Sequence, residues 1–240
     1  MILKIFIIKF YVFYLMFAMN GCLICGNATK NRFFLCEECG KFALFCERRC
    51  PKCGNFTLTP NESECFSCKG KKMHFNAIFS LFIYSGAVSR LISEMKYGHV
   101  ISIAEILGKY FADNTPHDFV EGHTVVFPPM RFSDKFIRTF NQAEILADRI
   151  AKAHGLKFDP RLLKKVRKTK HQAGLDYEER IKNLNGAFAL TRKVKGENFL
   201  IVDDVCTTAS TINEIAKLLK QNGAADVKGL TLARRTPYFA

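Results

Sequence analysis

Phe199-Leu200-Ile201-Val202-Asp203-Asp204-Val205-Cys206-Thr207-Thr208-Ala209-Ser210-Thr211 is the stretch whose reading decides the fold. Four apolar residues run into two adjacent carboxylates and a short hydroxyl-rich turn. Residues 212–219 then place apolar side chains at helical spacing. Strand, loop and helix follow in that order. An unbroken apolar strand is buried on both faces, as in a parallel sheet, and the loop at its carboxyl end lies where such sheets bind ligands. The helix amino terminus offers unpaired N–H groups and a positive dipole end to an anion. Thr207, Thr208, Ser210 and Thr211 add hydroxyl donors. Two carboxylates are poor phosphate ligands but good acceptors for vicinal sugar hydroxyls. The combination predicts a sugar-phosphate site rather than a plain helix cap.

Working outward, the 240-residue chain has room for one domain of about 150–180 residues and one small one. A formal net charge of +14 calls for anionic partners, either small-molecule phosphates or a nucleic-acid backbone. Nine of the ten cysteines lie between positions 22 and 68. They include four pairs of identical spacing: Cys22/Cys25, Cys36/Cys39, Cys50/Cys53 and Cys65/Cys68. Pairs two residues apart offer thiolates at tetrahedral geometry, which predicts two zinc ions with four cysteines each. A disulfide framework would not require the repeated spacing. Two consecutive modules, 22/25/36/39 and 50/53/65/68, are the simplest wiring, and an interleaved cross-brace shares the same spacing. Cys46 stands outside the pairs and reads as a buried or surface thiol. Two tetrathiolate zinc centres lower the formal charge by four, to about +10.

Three segments are expected. Residues 1–19 are an apolar extension interrupted by Lys4 and Lys9, too short in its uncharged run to span a bilayer. Met19 is a candidate start, and a signal-like or membrane-contacting segment is the alternative reading. Residues 20–75 form the four-cysteine zinc region, and residues 76–240 an α/β domain with a mostly parallel sheet. In that domain the periodicity predicts strands over 77–84, 125–127 and 227–233 and helices over 88–97, 101–111 and 143–153. Arg131, Lys135 and Arg138 fall after a core strand and before a helix, a second anion site or a solvated turn. Residues 161–170 hold six basic side chains, among them Lys164, Lys165, Arg167, Lys168 and Lys170. This stretch reads as a flap over phosphates or a groove wall for nucleic acid, with His171 as base, stacking group or solvated side chain.

The acidic pair followed by Thr207-Thr208 and Ser210-Thr211 resembles the phosphoribosyl pyrophosphate (PRPP) loop of type I phosphoribosyltransferases. Taken with the cysteine pairs, Lys96-Tyr97-Gly98, Arg138-Thr139-Phe140-Asn141-Gln142, Thr169-Lys170-His171-Gln172 and Arg180-x-x-Asn183-x-x-Gly186-Ala187-Phe188, the chain resembles the ComF family of competence proteins. The family pattern has glycine at positions 139 and 209, where this chain has threonine and alanine. If residue 209 has a positive φ, alanine costs about 1 kcal/mol there. The resemblance implies a phosphoribosyltransferase-like domain that binds PRPP with Mg²⁺. Asp203 and Asp204 would face the ribose and any chemistry on it. Thr207, Thr208, Ala209, Ser210 and Thr211 would hold the 5′-phosphate, and Arg131, Lys135 and Arg138 the pyrophosphate. It also implies cytoplasmic handling of single-stranded DNA, with membrane association as an alternative, and a competence helicase or other DNA-processing proteins as partners. Two readings of activity stay open: a binding module in DNA uptake, and an active transferase of nucleotide metabolism with an unidentified acceptor. A redox role for the cysteine pairs is a third and weaker reading.

Overall fold

The computed structural model describes residues 21–29, 34–58, 63–98, 101–130, 140–167, 169 and 177–239. Expectations for residues 1–19, for Arg131, Lys135 and Arg138, and for Lys168, Lys170 and His171 lie outside these residues. The described strands are β1 (Ala77–Ile83), β2 (Thr124–Val126), β3 (Leu163–Lys165), β4 (Phe188–Leu190), β5 (Asn198–Cys206) and β6 (Asp226–Arg234). The helices are α1 (Glu37–Gly40), α2 (Gly86–Tyr97), α3 (Ile101–Asp113), α4 (His117–Val120), α5 (Gln142–His154), α6 (Tyr177–Leu184) and α7 (Ser210–Gln221).

The apolar run forms β5, inside a four-stranded sheet of order β1-β6-β5-β2 whose pairs are all parallel. Side chains alternate along a strand, so β5 feeds two cores. Leu200 and Val202 join α2, α3 and α5 on one face, while Phe199 and Ile201 join α7 and the β3-β4 pair on the other. Burial on both faces is why the sequence shows a continuous apolar run instead of an alternating one. Gly229 of β6 allows α7 to settle close to the sheet, since a Cβ there would sit 3.0 Å from Ile78 Cγ1 and 3.1 Å from Ile212 Cδ1. Helix α7 is thereby held close to β6, the neighbour of the strand that carries the carboxylates.

The basic stretch read as a flap or groove wall contains β3, which pairs antiparallel with β4. Leu162 and Leu163 are buried beneath it, while Lys164, Val166 and Arg167 face solvent. Helix α6, Tyr177-Glu178-Glu179-Arg180-Ile181-Lys182-Asn183-Leu184, is mostly polar and so gives no strong apolar signal in the sequence.

The cysteine-rich region lies against this sheet. Residues 44–46 run along the outer side of β1: Cys46 N donates to Leu81 O at 2.9 Å, Ile83 N donates to Leu44 O at 2.8 Å, and Phe45 bridges Phe82 antiparallel. The open edge of β1 is thus covered, which removes a site for unwanted strand pairing. Gly54 lies so close to β1 that a Cβ would come within 2.5 Å of Ile78 O, and its φ of +65° suits glycine.

Candidate functional site

Asp203 and Asp204 sit near the carboxyl end of β5, and the chain then turns through Thr207, Thr208 and Ala209 into α7. Asp204 N donates to Asp203 Oδ1 at 2.8 Å, and Thr208 Oγ1 lies 2.7 Å from Ser210 Oγ. Acidic pair, hydroxyls and helix amino terminus therefore share one end of the sheet. Ala209 has φ +63° and ψ +8°, and it is the one non-glycine residue with positive φ among the described residues. The left-handed turn is required to reverse the chain from strand to helix, and alanine adopts it at a cost of about 1–2 kcal/mol. Its methyl group is buried with Cys206 and Ile212 in the α7-side core, which offsets part of that cost.

Sequence reasoning missed one member of this site. Lys96, in the last turn of α2, places Nζ 3.0 Å from Asp204 Oδ1, with both side chains mostly buried. The segment Lys96-Tyr97-Gly98 was a recognisable signature, but nothing in the sequence says that α2 ends opposite β5. The described residues on either side of 131–139 are joined to each other. Asn141 caps α5, with Oδ1 accepting from Ala143 N at 3.1 Å, and its Nδ2 donates to Pro128 O at 3.1 Å. Gln142 Nε2 donates to Met95 O at 3.2 Å, next to Lys96. Asn141 and Gln142 thus tie the start of α5 to Pro128 and to α2.

Arg167, expected on a nucleic-acid surface, directs Nη2 to the carbonyls of Asn183 and Asn185, each at 2.8 Å. It satisfies backbone acceptors at the end of α6, a structural use of a cation at a helix carboxyl terminus. Lys164 stays exposed and Lys165 half-buried on β3.

The cysteines form two clusters in chain order, Cys22/Cys25/Cys36/Cys39 and Cys50/Cys53/Cys65/Cys68, with all four sulfurs of each within 4.8 Å of one another. In the second cluster, sulfurs are 3.5 Å apart for Cys53–Cys65, 3.7 Å for Cys50–Cys68 and 3.8 Å for Cys65–Cys68. A tetrahedral ion with 2.3 Å bonds to sulfur requires about 3.8 Å. A disulfide requires about 2.05 Å. The donor set therefore fits zinc. Backbone N–H groups also point at the sulfurs, from Ile24 to Cys22, Cys39 to Cys36 and Cys65 to Cys50. Burial alone would raise the Cys22 thiol, but the N–H groups of Cys25, Cys36 and Ile24 bring it down to about 6. In the same cluster burial and the neighbouring sulfurs push Cys39 up to about 12. Crowded thiols behave this way because the first thiolate disfavours the next, until a cation neutralises them together.

The two clusters differ in surroundings. Cys25 is exposed and Cys36 and Cys39 half-buried, whereas all four cysteines of the second cluster are buried. The second cluster shares its core with Cys206, Ala209 and Ile212 of the loop region. Phe66, between Cys65 and Cys68, is 93% exposed. Among the described residues no helix is long and apolar enough to cross a membrane.

Comparison with known proteins agrees with this architecture. Residues 141–237 match the phosphoribosyl transferase domain model. The DNA utilization protein YhgH of Salmonella typhi is 30% identical over 89% of this chain and 89% of its own. Competence protein F of Haemophilus influenzae is 27% identical, covering 89% of this chain and 96% of that protein. Competence protein ComFC of Streptococcus pneumoniae is 27% identical over 89% of this chain and 99% of its own. With similarity at this level spanning both the cysteine clusters and the parallel sheet, the chain belongs to the ComF family that includes YhgH.

Proposed function

We propose that this protein binds PRPP together with Mg²⁺ and acts on single-stranded DNA in the cytoplasm during DNA uptake. The observation that carries the first part is the convergence of Asp203, Asp204, the left-handed turn at Ala209 and the amino terminus of α7 on one sheet end. In this reading Asp203 and Asp204 accept from the ribose hydroxyls. Thr207, Thr208, Ser210 and Thr211 hold the 5′-phosphate with the α7 backbone N–H groups. Arg131, Lys135 and Arg138, in the segment between Pro128 and Asn141, receive the pyrophosphate. Mg²⁺ arrives with PRPP and offsets its charge. Both cysteine clusters carry zinc. Residues 20–75 are the metal-binding part and residues 76–240 the phosphoribosyltransferase-like part.

The DNA reading draws on the relatives, named for competence and DNA utilization, and on charge. Phe66 at the tip of the second cluster is followed by Lys69, Lys71 and Lys72, an aromatic face beside cations, which suits stacking of unpaired bases. The tip region is anchored to α7 by His74 N donating to Asn213 Oδ1 at 2.7 Å. The next residue, Glu214, accepts from Gly186 N at 2.9 Å, so the base of the β3-β4 ribbon with Lys164 and Lys165 joins the same helix. Lys168 and Lys170 are the next basic residues in the sequence and belong to the same proposed interface.

Calorimetric titration with PRPP and Mg²⁺ tests the first part. Wild-type protein binds, and Asp203→Ala or Asp204→Ala weakens binding about 10- to 100-fold, the worth of hydrogen bonds to a charged group. No heat of binding from the wild type would sink the reading. Pyrophosphate release on adding DNA or a nucleobase would move it to an active transferase. For DNA, neutralising Lys164 and Lys165 lowers the salt slope of single-strand binding by about 0.7 for each phosphate left without its cation, and an unchanged slope removes the ribbon from the interface.

A further inference from the structure

Arg234 is the last residue of β6, only 3% exposed, and among the described residues it makes no ion pair with a carboxylate. Its Nη1 donates to Cys206 Sγ, and its Nε has no hydrogen-bond partner. A buried guanidinium without a counter-charge is costly enough that something must neutralise it. Its contact, Cys206 on β5, shares one buried core with Cys50, Cys53, Cys65 and Cys68 of the second cluster, and negative charge on Cys53 and Cys65 favours the charged guanidinium. Four thiolates around a dication carry a net charge of about −2, so the loaded cluster supplies the missing anion.

We propose that Arg234 is a positioning residue that joins the second metal-thiolate cluster to the sugar-phosphate loop. One end of its guanidinium holds Cys206, the residue directly before Thr207, and the charge of the metal centre fixes the other end. Arg235 N donates to Cys206 O at 2.9 Å, so the backbone at the loop's start is held from the same strand. Loading of this cluster then sets the order of the loop. The first cluster lies in the opposite core, with α2 and α3, and has no part in this link. The inference rests on zinc occupying the second cluster and is independent of whether PRPP binds.

The test uses full-length zinc-loaded protein and no PRPP. Metal content is measured first, and a second cluster without zinc removes the foundation. Zinc release to a colorimetric chelator is followed in wild type, Arg234→Met and Arg234→Lys, with hydrogen exchange recorded over residues 203–212 and over α5 as a control. In wild type, stripping the buried cluster raises exchange in the loop before it does so in α5. Arg234→Met speeds the slow phase of release about 10- to 100-fold, the usual effect of losing a group that supports metal ligands, and leaves the fast phase unchanged. Arg234→Lys keeps the charge and slow release but loses the fork to Cys206, so its loop exchanges faster while zinc is still bound. Wild-type release from Arg234→Met, or a loop indifferent to metal removal, overturns the proposal. If Arg234→Met fails to fold, the wild-type stripping arm and Arg234→Lys decide it.

Discussion

The two cysteine clusters have the same internal spacing but different positions in the molecule. Cys22, Cys25, Cys36 and Cys39 pack at the margin of the α2–α3 core, where Phe34 meets Tyr110 edge-on at 4.7 Å, and one sulfur faces water. Cys50, Cys53, Cys65 and Cys68 are buried against β1 and share a core with the loop of the proposed ligand site. Identical ligand sets therefore serve different ends. The first enters the α2–α3 core through Cys22, its one buried cysteine, while the second lies in the α7-side core with all four, so disturbing it reaches the loop region. The lesson is that metal-ligand spacing specifies a coordination sphere and leaves its structural role to the surroundings.

The largest expected effect separates the clusters directly. Cys53→Ser should cost about 3–5 kcal/mol in urea denaturation, because the remaining thiolates and Arg234 are left buried and poorly compensated. Cys25→Ser, at an exposed position, should cost about 1–2 kcal/mol. Equal losses would break the comparison. Next, Lys96→Met should lower stability by about 1–3 kcal/mol by leaving the mostly buried Asp204 without its cation. A neutral outcome would mean that Asp204 finds another partner. Phe66→Ala should leave stability within about 0.5 kcal/mol, since the ring touches mostly solvent, yet weaken single-stranded DNA binding by about 1–3 kcal/mol. Gel-shift titration beside a melting curve checks both halves. The smallest effect is Ala209→Gly, which relieves the left-handed strain but frees the unfolded chain, for a net gain of about 0.5 kcal/mol. A loss instead would show that the buried methyl outweighs the backbone strain.

Much of the α/β domain was legible because its signals are local. The predicted strands 77–84 and 227–233 correspond to Ala77–Ile83 and Asp226–Arg234, and the predicted helix 143–153 to Gln142–His154. Apolar periodicity survives wherever an element buries a whole face. It fails at residues 161–190, where β3 and β4 are three residues each and α6 is mostly polar, so neighbours rather than pattern decide the structure. The resemblance to a family pattern with glycine at position 209 pointed to a special backbone conformation there, and Ala209 has φ +63°. Arg167 looked like one more basic residue of a charged run, and only its carbonyl partners reveal a capping role.

By itself the sequence determined the covalent spacing of eight thiols, the apolar strand ending in Asp203-Asp204 and the helix that follows. These are set by residues within a dozen positions of one another, where chain geometry leaves few choices. Tertiary structure alone decided that Lys96 meets Asp204 across the top of the sheet, that one cluster is partly exposed and the other buried, and that Arg234 is buried against Cys206. These arrangements join separate elements, Lys96 with Asp204 and strand β5 with β6 and the cysteine-rich region, brought together by the burial of two apolar faces of one parallel sheet. The Asp203–Thr211 loop is a local motif, and the cation that pairs with Asp204 comes from elsewhere in the fold.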